Sequence, residues 1–125
     1  MQTKLKTILL TGFALALLSA GSARAADYGV WERPSTGSHV HFYDCGGKLC
    51  GKVIAVKDEA RKGEIGKMIL RDAIKSGGNS WKGDLIDAGT GKVYTGTVTL
   101  QGATLDLQGC IMSMLCQSES WRKVK

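Results

Sequence analysis

Lys92-Val93-Tyr94-Thr95-Gly96-Thr97-Val98-Thr99-Leu100-Gln101-Gly102-Ala103-Thr104-Leu105-Asp106-Leu107-Gln108-Gly109-Cys110 is the stretch on which the fold turns. Its apolar residues recur at every second position on both sides of Gly102, the period of a strand with one face buried, whereas a helix would repeat every 3.6 residues. Gly102 offers the positive φ that a tight reversal needs, so the stretch predicts two antiparallel strands, Lys92 to Leu100 and Thr104 to Cys110. Outward from this hairpin the same alternation continues. Strands are expected at Tyr28 to Arg33, Ser38 to Cys45, Cys50 to Lys57, Lys67 to Ile74, Ser80 to Asp87 and Cys116 to Val124. Glycine-rich breaks separate them at Gly46-Gly47, Gly77-Gly78-Asn79 and Gly89-Thr90-Gly91. Pro34 falls at the end of the first strand, where a missing N–H does least harm. Asp58 to Gly63 is the one helical candidate, a single turn. About eight short strands in so small a chain would leave open edges in a flat sheet. The expected fold is therefore all-β, a small antiparallel up-and-down β-barrel, with a two-sheet sandwich as the alternative.

The chain has 125 residues, 43% hydrophobic, 6% aromatic and 22% charged, which is ordinary globular usage and room for one domain. Residues 1–25 read as a cleaved signal peptide: Lys4 and Lys6, an apolar run from Ile8 to Leu18, then Ala23-Arg24-Ala25. Eleven apolar residues at ~1.5 Å each span ~16 Å of a ~30 Å hydrocarbon core, too little for an anchor. The remaining single domain, residues 26–125, holds 14 Lys and Arg against 11 Asp and Glu, a net charge of +3, and is expected in the periplasm or secreted, not spanning a membrane. Nucleic acid is not an expected partner, because the basic segment Lys57, Arg61, Lys62, Lys67, Arg71 and Lys75 lacks interleaved aromatics and carries Asp58, Glu59, Glu64 and Asp72. A solvated mixed face accounts for it.

Cys45, Cys50, Cys110 and Cys116 all lie in the exported part, where disulfides persist. Four cysteines allow three pairings. Cys45 with Cys50 and Cys110 with Cys116, each clipping a hairpin end, is preferred. Crossed pairing, stapling the two halves of the chain together, stays open. Zinc on four thiolates is disfavoured by the C-x4-C and C-x5-C spacings.

Six segments carry a resemblance: Gly29-Val30-Trp31, Cys45-Gly-Gly-Lys-Leu-Cys-Gly51, Trp81-Lys-Gly-Asp-Leu-Ile-Asp87, Gly91-Lys-Val-Tyr94, Leu107-Gln-Gly-Cys110 and Trp121-Arg122. Together they resemble the family catalogued as domain of unknown function 2147 (DUF2147), over nearly all of residues 26–125. The resemblance implies small exported bacterial proteins, mostly Gram-negative, with a lipocalin-like barrel and no established general activity. This chain departs from the family pattern at Asp58 to Gly66 and in lacking a Pro near Asp87-Ala88-Gly89. Gly29-x-Trp31 with Arg122 is also similar to the lipocalin pattern, which implies a Trp plug at the closed end covered by the Arg. Of Trp121 and Arg122, adjacent on one strand, only one need face inward. Gly29, Trp31, Trp81, Trp121 and Arg122 are thus expected to be structural.

Chemistry is sparse. His39 and His41 share a strand face with Tyr43, a spacing that places two imidazoles side by side, but Asp44 points away and no third metal ligand is evident. Two half-exposed histidines without a special role is the preferred reading, and no metal or cofactor is expected. A metal-assisted hydrolase is the residual enzyme reading. No Gly-x-Ser-x-Gly elbow occurs, Gly89-Thr90-Gly91-Lys92 lacks the spacing of a phosphate loop, and Asp84 with Asp87 or Asp58 with Glu59 reads as a solvated rim. No catalytic residue is assigned. What the barrel itself suggests is a ligand: eight strands enclose side chains or one small molecule. Val40, Phe42, Val53, Ala55, Leu85, Val98, Leu105 and Leu107 are the candidate lining of a site for a small apolar or amphiphilic ligand or envelope component, with a simple packed core as the plainer account. The alternative is a protein-binding or inhibitor module acting through loops at the barrel mouth. A charge of +3 argues against a strongly basic target. The chain is expected to be a monomer or small homo-oligomer.

Overall fold

The computed structural model describes residues 26–112 and 114–125. They form eight strands: β1 (Asp27–Glu32), β2 (His39–Asp44), β3 (Leu49–Ala55), β4 (Met68–Lys75), β5 (Ser80–Ile86), β6 (Val93–Gln101), β7 (Thr104–Ile111) and β8 (Leu115–Lys123). Each pairs antiparallel with the next, and β1 meets β8, so the sheet closes on itself in the order β1 to β8. The expected all-β barrel is the observed one; the sandwich is not. The proposed signal peptide lies outside the described residues.

The β6–β7 hairpin keeps a continuous register from Thr95 opposite Cys110 to Gln101 opposite Thr104, with Gly102 at φ 64° in the turn. The expected helical turn is a 3-10 helix over Glu59–Glu64, one residue later than expected, because the Asp58 carboxylate accepts the Ala60 N–H at 3.0 Å and so stands as its cap. β4 departs from simple alternation. Asp72 at φ 52° forms a bulge between Arg71 and Ile74, which turns Ala73 to the inside and leaves Ile74 exposed. Gly83 is required opposite it: a Cβ there would lie 2.6 Å from the Ala73 Cα.

Trp31, Phe42, Leu49, Leu70, Val98, Leu105 and Trp121 are the fully enclosed heart of the barrel. The end bearing the start of β1, the end of β8 and the β2–β3, β4–β5 and β6–β7 turns is closed by aromatics. Trp31 donates its indole N–H to the Tyr28 carbonyl at 2.9 Å, and Tyr28 meets the Trp81 ring edge-on at 5.4 Å between centroids. The expected Arg122 cover over Trp31 is not there. Lys123 takes that place, 5.9 Å from the ring centroid, while Arg122 points outward to Glu32 at 3.3 Å. Alternation along β8 explains it: Trp121 and Lys123 share the side that Arg122 leaves. Gly29 admits that lysine, since a Cβ would come within 2.8 Å of the Lys123 Cε, and its φ is 93°.

Cys45 pairs with Cys50 and Cys110 with Cys116, the preferred connectivity, one hairpin at each end of the barrel. Disulfides of this kind indicate a non-reducing compartment. Among the described residues no helix is long and apolar enough to cross a membrane.

Candidate functional site: a cavity at the barrel mouth

The end opposite the aromatic plug is hollow. A half-open cavity of about 1030 Å³ lies between the mouth ends of the strands and the loops β1–β2, β3–β4, β5–β6 and β7–β8. Of the eight residues expected to line it, Val40, Val53, Leu85 and Leu107 do. Phe42, Val98 and Leu105 do not: each is wholly enclosed in the packed half below. Ala55 is neither in the core nor at the cavity, because a register shift between His39 and Val40 places it at the end of the β2–β3 ladder. Ile69, Ile86, Ile111 and Trp121 also contribute to the apolar wall.

A polar network crosses this wall. The Arg33 Nε and Nη2 donate to the two carboxylate oxygens of Glu119 at 3.0 and 2.9 Å, and the Trp121 indole N–H donates to Glu119 Oε1 at 3.0 Å. The Arg33 guanidinium, by these hydrogen bonds, holds the Glu119 carboxyl below its usual range, and Glu119 in turn raises Arg33. Asp87, in the β5–β6 turn, is likewise held low by the backbone N–H groups of Thr90 and Gly89, with Arg33 adding to the effect. Both carboxylates are therefore charged at neutral pH. At the rim, Met112, Met114 and Leu115 are 84%, 83% and 70% exposed, and the last two also line the cavity.

Arg33 and Glu119 escaped the sequence reading because 86 residues separate them and neither sits in a motif. The available signal was closure itself: a barrel whose last strand pairs with its first places the end of β1 beside β8.

The histidines are on the outer face. His41 Nε2 lies 2.8 Å from Asp27 Oδ1 and His39 Nε2 3.6 Å from Glu32 Oε1, both partners on β1, and the His41 ring lies against Tyr43. Neither joins a third ligand. Among the described residues the single cluster with metal-ligand spacing is Cys45, Cys50 and Asp72, whose sulfurs are already bonded to each other and offer no thiolate.

Fold and cavity thus define a closed eight-stranded antiparallel β-barrel with one plugged end and one hollow end. A family model described as "Uncharacterized protein conserved in bacteria (DUF2147)" matches residues 29–123, and the chain belongs to that family. No curated protein and no solved structure matches it.

Proposed function

We propose that this protein binds a small apolar or amphiphilic ligand in the cell envelope and has no enzymatic activity. The observation that carries the reading is the mouth cavity of about 1030 Å³, at the upper end of the ~300–1,000 Å³ typical of ligand sites. Its composition fits the class. Val40, Val53, Ile69, Leu85 and Leu107 take an apolar body, while the Arg33–Glu119 pair presents a fixed polar group to a head. Periplasmic or secreted residence accords with two disulfides and no free cysteine among the described residues.

Native mass spectrometry of the oxidised protein, purified without refolding, tests this. The expected result is an adduct of a few hundred daltons that leaves on denaturation, together with one-site binding of the dye ANS, displaced by an envelope lipid extract. Leu107→Trp, which fills the cavity, is expected to weaken ANS by about tenfold or more. A bare mass with ANS indifferent to lipid and to Leu107→Trp overturns the reading.

The exposed Met112, Met114 and Leu115 rim favours a second reading, a protein-binding or inhibitor module acting through the mouth loops. Its test is whether Met114→Glu abolishes retention of a defined partner while ANS binding persists.

A further inference from the structure

The ladder that closes the barrel is short. β1 pairs with β8 through Trp31 opposite Lys123 and Glu32 opposite Arg122 and no further toward the mouth, whereas β7 accompanies β8 from Thr104 opposite Arg122 to Ile111 opposite Leu115. Beyond Glu32 the chain turns away: the Arg33 N–H donates to the Ser38 carbonyl, the Arg33 carbonyl accepts from Gly37, and Pro34 has no N–H to extend the pairing. Among the described residues, residues 115–120 of β8 thus have no backbone partner on the β1 side.

Alternation identifies the groups left facing the gap. The Lys123 N–H donates to the Ala103 carbonyl on the β7 side, and the Val124 N–H to the Val30 carbonyl on the β1 side. Neighbouring residues of an antiparallel strand direct their backbone groups to opposite sides, and the β7–β8 register has no shift. Cys116, Ser118 and Ser120 therefore direct N–H and C=O into the gap. The gap also leads inward. Gln117, Glu119 and Trp121 line the mouth cavity, and a second cavity of about 420 Å³, bounded by Glu32, Pro34, Thr104, Ser120 and Arg122, also touches Trp121.

Natural edges are guarded by lysine, proline, a bulge, an inward-pointing charge or a covering loop. Residues 115–120 carry no lysine, proline or bulge. Their one charge, Glu119, is held by Arg33, and the Cys110–Cys116 disulfide fixes the mouth end of the edge.

We propose that the β8 edge at Cys116, Ser118 and Ser120 is a strand-addition site for an extended polypeptide segment with apolar side chains at alternate positions. Six residues at ~3.3 Å offer ~20 Å of regularly spaced donors and acceptors, which a peptide backbone matches and a lipid or sugar does not. One face of the added strand continues the inner face of the barrel, so its alternate side chains meet Val40, Val53 and Leu107. Arg33, Ser35 and Thr36 bound the cavity across the gap. The Arg33 side chain reaches across to Glu119 there, so an incoming strand has to pass beside that ion pair, and the β8 of a second copy would bring its β7 along as well. The added strand's backbone uses groups that the small-ligand reading does not, while its inward side chains enter the same cavity.

The test uses the oxidised full chain and a capped hexapeptide of alternating valine with threonine or lysine. Two isomers carry N-methyl groups on one or the other alternating set of amides. The expected result is that one isomer binds like the parent and the other is weaker by about tenfold or more. Amide exchange slows at Cys116, Ser118 and Ser120 with the parent peptide. Ser118→Pro removes a donor on the open side and leaves the β7 ladder intact, so it is expected to abolish peptide binding with ANS binding unchanged. Equal binding of both N-methyl isomers overturns the proposal, as does slowed exchange confined to other strands, or slowing at these three amides with protein concentration and no peptide, which would assign the edge to a second copy. The isomer pair keeps the test decisive even where Ser118→Pro does not fold.

Discussion

The two halves of this barrel are built to opposite rules. Below Trp121, bulky residues fill the bore: Trp31, Phe42, Leu105 and Val98 are enclosed, with Tyr28 and Trp81 across the end. Above it, smaller aliphatic residues at comparable positions leave a cavity, bridged by one ion pair and rimmed by exposed methionines. Trp121 is the boundary, its ring 6.0 Å from that of Phe42 and its indole N–H on Glu119. The difference teaches that tight packing and open volume are separated along the barrel axis. A residue's height along the bore, more than its hydrophobicity, decides which it serves.

Truncation on either side of Trp121 is the most forceful way to break that comparison. Phe42→Ala, at a wholly buried ring, is expected to cost about 3–5 kcal/mol in urea unfolding. Leu115→Ala at the rim is expected to stay within about 0.5 kcal/mol. Equal losses at the two positions would mean that the upper half is packed as tightly as the lower.

The disulfides come next, one at each end. Their chain separations of 5 and 6 residues give nearly equal loop-closure effects, about 2 kcal/mol each. Replacing Cys45 and Cys50 by alanine is expected to lower stability by that amount and leave ANS affinity unchanged. Replacing Cys110 and Cys116 is expected to lower stability similarly and also weaken ANS, because Cys116 borders the cavity. Titration of both properties against urea separates the two ends directly.

The same division marks how much the sequence disclosed. Strand number and the short helical turn after Asp58 follow from local patterns, since alternation and turn residues act over a few positions, whereas the cysteine pairing was a preference with the crossed alternative open and the facing of Trp121 was undecided. The lower half was therefore largely legible. The cavity was legible in part: Val40, Val53, Leu85 and Leu107 share the inward phase with Phe42, Val98 and Leu105, and phase alone does not tell height along the bore. Arg33 with Glu119, Lys123 in place of Arg122 and the short β1–β8 ladder all depend on how the first and last strands meet. No local signal reports that register.

Glu119→Gln sharpens the comparison at the mouth. It keeps an acceptor for the Trp121 indole and removes the charge that faces Arg33, with an expected loss of about 1 kcal/mol near neutral pH for so exposed a pair. The Glu119 carboxyl is held low in the folded protein. Its contribution is therefore present above the ordinary carboxylate range and is lost as pH falls below it. The variant is accordingly expected to unfold less steeply with acid than the parent between about pH 5 and pH 3. An unchanged acid profile would remove Glu119 from the electrostatics of the upper half.

The smallest effect belongs to Asp27, at the closed end. Its carboxyl is also held below the usual range, first by the Gly29 N–H at 2.9 Å and then by His41, but it is fully exposed. Here the dominant partner is two residues away in the chain, while at the mouth Glu119 depends on a partner from the opposite end of the sequence. The two sites should respond differently when their long-range partners are removed. In His41→Ala, carbon-13 NMR titration is expected to find Asp27 still titrating below an ordinary aspartate, because the Gly29 bond is retained. In Arg33→Ala, Glu119 is expected to rise most of the way to an ordinary glutamate, since its first cause is gone. A return of Asp27 to the ordinary value in His41→Ala would make its low pKa a property of the β1–β2 pairing, and the electrostatic contrast between the two ends would fail.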